Sequence, residues 1–163
     1  MKLGYRCSCR ENIGVEMLTN DLMEKTIREY FDACNTGSSE KVQKYFTHEA
    51  THYFPEGSPF GALRGAKAIG DCWAMCVKEL GSFWTVDNFI GDPGSGRAVI
   101  EWTHFKKKTQ QILRGDEWYE FTSDGMIKEI RAYYSCPTHP NVSHHKIGGF
   151  DYEKRGYPLT FPS

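Results

Sequence analysis

Long hydrophobic runs are missing from this sequence: the apolar stretches are strand-sized and broken by charge, so none is read as a membrane span. The segment from Met1 to Arg10 is basic but lacks the apolar core of a secretory signal, and a cytoplasmic location is the expectation. A dominant charge is missing too. The formal net charge is -1, with both signs spread along the chain, which leaves no electrostatic footprint for nucleic acid or an anionic membrane. There is no glycine loop of the phosphate-cradling kind and no strand-mounted nucleophile motif. The six cysteines do not read as a disulfide framework, because Cys34, Cys72 and Cys76 fall on apolar helical stripes where free thiols pack as small hydrophobes. All six are expected to be free in a reducing compartment, where the Asn141-Val142-Ser143 sequon is irrelevant. His139, His144 and His145, near Cys136, lack recognisable ligand spacing, and Cys72 and Cys76 are better explained by packing, so no metal is expected.

What is present suits one domain with a sizeable core: 163 residues, an ordinary apolar fraction and 14% aromatics. The chain reads as organised around one stretch, Arg97 to Phe105. Ala98, Ile100, Trp102 and His104 alternate with Val99, Glu101, Thr103 and Phe105, the period of a strand, and both faces are largely apolar. A histidine and a carboxylate in such company each need a partner or a task.

Residues 1–18 show no clear period and are expected to be a flexible leader, within or near which Met17 and Met23 would also serve as starts. A first helix is expected from Asn20 or Asp21, with Met23, Ile27, Tyr30, Phe31 and Cys34 on its apolar stripe, Asn35 at the edge and Asp32 outside. A short second helix follows from Ser38 to Phe46, then a short strand from Ala50 to Phe54 with His52 and Phe54 on one face. The spacing of Ile69, Cys72, Trp73, Cys76, Val77 and Leu80 predicts a third helix over 66–80, closed by Gly81. Strands are expected over 83–90, 97–107, 110–122 and 126–136, with a bend at Gly115. The fold class is α+β, with helices on one face of an antiparallel meander. Residues 137–163 form a C-terminal arm whose aromatics need somewhere to dock, on this domain or on a neighbouring subunit.

This order resembles the SnoaL-like branch of the nuclear transport factor 2-like superfamily. The resemblance is carried by Tyr30 to Gly37, Phe46 to Ala50, Gly65 to Ile69, Ile100 to Thr103 and Asp124 to Tyr134, with 19–136 as the SnoaL-like domain. It implies a cone in which a curved, mostly antiparallel sheet wraps N-terminal helices around a deep apolar pocket, often in a homodimer formed through the outer sheet face. Members include ketosteroid isomerase, scytalone dehydratase, limonene epoxide hydrolase, polyketide cyclases and proteins without catalysis, so the fold does not fix the function. The scytalone dehydratase aspartate falls at Asn35 and the last-strand aspartate of limonene epoxide hydrolase at Ala132, which argues against either activity as such.

The expected function is cofactor-free acid-base chemistry, a dehydratase, isomerase or cyclase acting on a small hydrophobic or cyclic molecule. His104 is the expected proton mover, His52 a second acid or base or a shaper of the rim, and Tyr134 and Asn35 the donors to a developing oxyanion. Trp102, Trp73, Trp118, Tyr30 and Phe54 are the expected substrate contacts, although aromatics at such spacing are more often core. One of Asp116 and Glu117 faces inward, and the register leaves open which. Glu101 and Arg131 are expected to pair away from the pocket. The rival readings are a binding protein with the same pocket and no turnover, and a vestigial pocket with a protein partner on the outer sheet face.

Overall fold

The computed structural model describes residues 18–55, 58–134, 152–154 and 156–162. Residues 1–17 of the expected leader, the tail histidines and Cys7, Cys9 and Cys136 lie outside them, while Leu18, the last residue of that leader, packs against the core. Thr19 caps the first helix, α1 (Asn20–Asn35), by accepting a hydrogen bond from the Leu22 amide. The expected stripe is the one it buries, from Met23 to Cys34, while Asp32 faces solvent. Ser38 caps the short α2 (Ser39–Gln43), which ends before the expected Phe46 because that residue opens a strand. In α3 (Ala66–Leu80), Ile69, Cys72, Trp73 and Cys76 are buried, and Gly81 ends the helix at φ 64°, a conformation that favours glycine.

Six strands form one curled, open sheet in the order β2-β1-β6-β5-β4-β3. They are β1 (Phe46–Tyr53), β2 (Ala62–Arg64), β3 (Ser82–Asp92), β4 (Arg97–Lys106), β5 (Gln111–Phe121) and β6 (Ile127–Tyr133). β1 is longer than expected, and β2 has no counterpart among the strands expected from the sequence. All pairings are antiparallel except β1 with β6. The local hairpins close on Asp92-Pro93-Gly94-Ser95-Gly96 and Ser123-Asp124-Gly125, whereas the parallel pairing joins distant segments and carries no local signal.

Alternation along β4 and β5 sorts their side chains into two faces. On the concave side the opposed pairs are Ala98 with Tyr119, Ile100 with Glu117, Trp102 with Gly115, His104 with Leu113, and Lys106 with Gln111. The register runs unbroken through Gly115, so the expected bend is not a slip in pairing there. Glycine is required at that point for space: an added Cβ would lie 2.7 Å from Trp102 Cζ2, Tyr133 O and Tyr134 Cβ. Register shifts fall instead between Val86 and Asn88, between Glu120 and Phe121, and between Phe46 and Thr51.

The convex side corrects two expectations. Trp118 pairs with Val99 and Arg131 there and is 43% exposed, so it is no pocket residue. Arg131 bonds Glu120 and Glu129 rather than Glu101. Glu101 instead accepts hydrogen bonds from Asn88 Nδ2 at 2.6 Å and from the Tyr157 hydroxyl. The described part of the C-terminal arm packs on this face: the Arg114 guanidinium lies 4.3 Å from the Tyr152 ring centroid and bonds the Pro158 carbonyl, and Phe161 packs edge-on against Phe105.

Candidate active site

The curl of the sheet and the flank of α3 enclose a cavity of about 510 Å³. Phe54, Trp73, Trp84, Trp102 and Tyr134 give it aromatic walls, with Cys76, Leu80, Leu113 and Ala132 between them. Its buried lining residues, including Glu117, Ala132 and Trp102, mark a closed end, and the exposed Gln110 and Gln111 mark the mouth. Two charged residues line it, Glu117 and Lys106. They stand six positions apart along the paired strands, about 20 Å at roughly 3.3 Å per residue.

Glu117 is the inward member of the Asp116–Glu117 pair and is 5% exposed. Its Oε2 accepts a 2.5 Å hydrogen bond from the Tyr119 hydroxyl, and its Oε1 lies 3.6 Å from His52 Nε2. A carboxylate so deep persists only with partners, because desolvation penalises the charge. Burial, reinforced by the Glu117 charge, raises the Tyr119 hydroxyl well above its ordinary range, so it remains a donor. His52 is completely buried behind Glu117, stacked on Phe54 at 4.2 Å, and neither ring nitrogen makes a hydrogen bond among the described residues. Trp102 Nε1 is also buried without an acceptor. An unpaired buried N–H is costly, and a ligand oxygen is one way to satisfy it.

The structure rearranges the sequence-derived constellation. His104, Tyr134, Trp102, Trp73 and Phe54 all line the cavity. His104 stacks on Trp84 at 4.4 Å, and its Nε2 bonds Ser82 Oγ at 2.8 Å. Burial first, then the Lys106 charge, pushes its pKa down to about 3. A ring held that way is neutral at pH 7 and takes a proton poorly, a property that weighs against His104 as the proton mover. Asn35 is committed elsewhere: its Nδ2 donates to Trp84 O at 2.9 Å and its Oδ1 accepts from Trp84 N at 2.7 Å, tying α1 to β3. Asn35 and His52 are therefore not on the cavity wall. Tyr30 is also off the wall, 1% exposed and packed edge-on against Phe31 and Phe46.

Glu117 is the residue that sequence reasoning left undecided. Its signal was present in the alternation of β5, where Leu113, Gly115, Tyr119 and Phe121 share a face against Arg114, Asp116, Trp118 and Glu120. The more polar set belongs outside. That places Glu117 inward and Trp118 outward together.

This architecture, an α+β cone whose sheet curls over a cavity, is that of NTF2-like proteins. The model of the SnoaL-like domain family matches residues 27–130, and the chain belongs to that family. It is 44% identical to a protein of unknown function with a cystatin-like fold from Methylobium petroleophilum PM1, over 90% of this chain and 97% of that one, with a TM-score of 0.72. SalBIII, an epoxide hydrolase/cyclase-like enzyme with a role in pyran ring formation in the polyether salinomycin, shares 14% identity over 73% of this chain and 95% of its own, TM-score 0.62. An NTF2-like protein of unknown function from Cytophaga hutchinsonii shares 12% over 69% and 89%, TM-score 0.56. No functionally curated protein matches the chain.

Proposed function

We propose that this protein is an acid-base enzyme of the lyase, isomerase or cyclase kind, acting on a compact ring-bearing carbonyl or hydroxyl compound. The observation that carries the reading is the Glu117 carboxylate, buried among the aromatic and aliphatic walls of a mostly apolar cavity. Glu117 takes a proton from the carbon beside a carbonyl; the Tyr119 hydroxyl holds the carboxylate in place by its hydrogen bond, with the His52 ring packed behind it. The developing oxyanion is met by Trp102 Nε1–H and by the Tyr134 hydroxyl, donors placed where water is scarce. Returning the proton to another carbon gives isomerisation, and losing a β-hydroxyl gives dehydration. The polyether-forming relative described above fits a cyclase variant of the same proton transfers.

The test is deuterium incorporation beside the carbonyl of a panel of cyclic ketones in D₂O, followed by NMR. The protein is expected to accelerate exchange for at least one member, and Glu117→Gln to lower that rate by about 100-fold or more. Ketones that bind without any acceleration would replace this reading with that of a binding protein. Exchange indifferent to Glu117→Gln would remove Glu117 from it. A homodimer through the uncovered part of the convex face, around Trp118 and Tyr133, is proposed on the family resemblance and on their exposure. Light scattering would read a single-chain mass if that is wrong.

A further inference from the structure

Lys106 continues the alternation of Ala98, Ile100, Trp102 and His104 onto the concave face of β4. It lines the cavity and stands opposite Gln111 on β5 and Ser82 on β3, at the end away from Glu117. Four lysines elsewhere have carboxylates, Lys67 with Asp71, Lys25 with Glu29, Lys78 with Glu79 and Lys128 with Glu120; others, such as Lys41 and Lys44, have none among the described residues but lie away from the cavity, whose lining includes Lys106 as its one lysine among the described residues. Lys106 Nζ has no hydrogen-bond or ion-pair partner among the described residues. Two other cavity residues feel its positive charge as a lesser influence: the His104 pKa is lowered by burial first and then by Lys106, and the Cys76 pKa by its hydrogen bond with Cys72 first and then by Lys106.

An unpaired cation at the rim of a low-dielectric cavity focuses its field into the opening and favours an anion there. The opposite end already holds a carboxylate, which disfavours a second negative charge. The cavity is therefore polarised along its length, with a proton acceptor at the bottom and a cation at the top. Between them lie the aromatic walls, over strands that separate the two rows by about 20 Å before side chains reach inward.

We propose that Lys106 is the anion subsite of the cavity, and that the ligand is an amphipathic organic acid: a ring body against the aromatic walls and a carboxylate at the mouth. This rests on the cavity being the functional site, as proposed above, and adds the charge and the length of what enters. The ring body spans two or three fused rings, and a short arm carries the acid to Lys106. Lys106 thereby selects between acids and their neutral counterparts.

Three probes of one shape, each with three fused rings, test it: 4-(2-anthryl)butyrate, its methyl ester and 4-(2-anthryl)butylamine, titrated by calorimetry and by quenching of the cavity tryptophans. The chain as given is expected to bind the acid about fivefold tighter than the ester, the scale of a partly exposed ion pair, with the preference shrinking as salt is added. Lys106→Gln should make acid and ester equal, and Lys106→Glu should move the preference to the amine. Glu117→Gln should keep the preference for the acid, because it alters the other end. Equal binding of acid and ester by the unaltered chain, or a preference that survives Lys106→Gln, overturns the proposal. Glu117-dependent exchange on neutral ketones with no acid preference would overturn this proposal and leave the enzyme reading standing. Acid preference without exchange would do the reverse, and failure of all three probes to bind would overturn this proposal.

Discussion

The two faces of the β4–β5 pair carry similar residues to opposite ends. On the convex face Glu101 accepts from Asn88 and Tyr157, Asp87 accepts from Thr85 and Thr103, and Arg114 is covered by aromatic rings and a carbonyl of the C-terminal arm. These groups complete one another. On the concave face Trp102 Nε1 finds no hydrogen-bond partner and Lys106 has no counter-ion among the described residues, and behind Glu117 neither nitrogen of His52 is hydrogen-bonded. Unfulfilled polar groups cost stability, and their position at one mostly apolar cavity is the difference that supports the proposal of a ligand there.

The largest expected effect that sharpens this contrast is a pH dependence from the concave face. Unfolded, the His104 ring takes a proton near its ordinary value; folded, it does so only at about 3. The unfolded state therefore binds more protons between those values, and stability falls as pH falls through that window, by up to about 1.4 kcal/mol per pH unit from this group. Urea melts of the unaltered chain and His104→Gln across the window should diverge in that sense, with the variant less acid-sensitive. Parallel curves would mean that His104 titrates normally.

Gly115→Val should destabilise the fold by about 3 kcal/mol, since the added atoms meet the Tyr133 carbonyl and the Trp102 ring. The same melts at neutral pH would measure it, and ring-ketone binding should weaken as Trp102 is pushed toward the cavity. A Trp102→Phe variant should change stability by less than about 1 kcal/mol, because the lost N–H had no partner, yet weaken ketone binding by roughly fivefold. Calorimetric titration with a ring ketone checks this, and an unaltered affinity would show that the indole N–H meets no ligand oxygen. Smallest is the convex-face counterpart. Tyr157→Phe removes the bond to Glu101 and should cost about 0.5–1 kcal/mol while leaving cavity binding unchanged.

Much of this was legible in the residues, because local patterns have local causes. The stripe from Met23 to Cys34, the helix over 66–80 and the glycine turns between strands follow from periodicity and turn chemistry, and the structure keeps them with small shifts at the ends. The site was legible in parts. Trp102, His104 and Tyr134 line the cavity because strand alternation puts them on the concave side. Asn35 misled because a helical wheel shows which way a residue leans and says nothing of a β3 backbone that takes both ends of its amide. Trp118 misled because an aromatic was weighed singly, without the charged residues that share its strand face. The Glu117–His52 approach joins β5 to β1 across β6, a relation that exists only once the parallel pairing has formed.

In the proposed function the concave face is completed by a ligand whose oxygen meets Trp102 and whose reacting carbon meets Glu117. A crystal structure with a bound ring ketone tests it most directly. The ketone oxygen is expected within about 3 Å of Trp102 Nε1, with the neighbouring carbon against the Glu117 carboxylate. A ketone seated with its oxygen toward Lys106 and its ring against Glu117, or lodged outside the cavity, would contradict it.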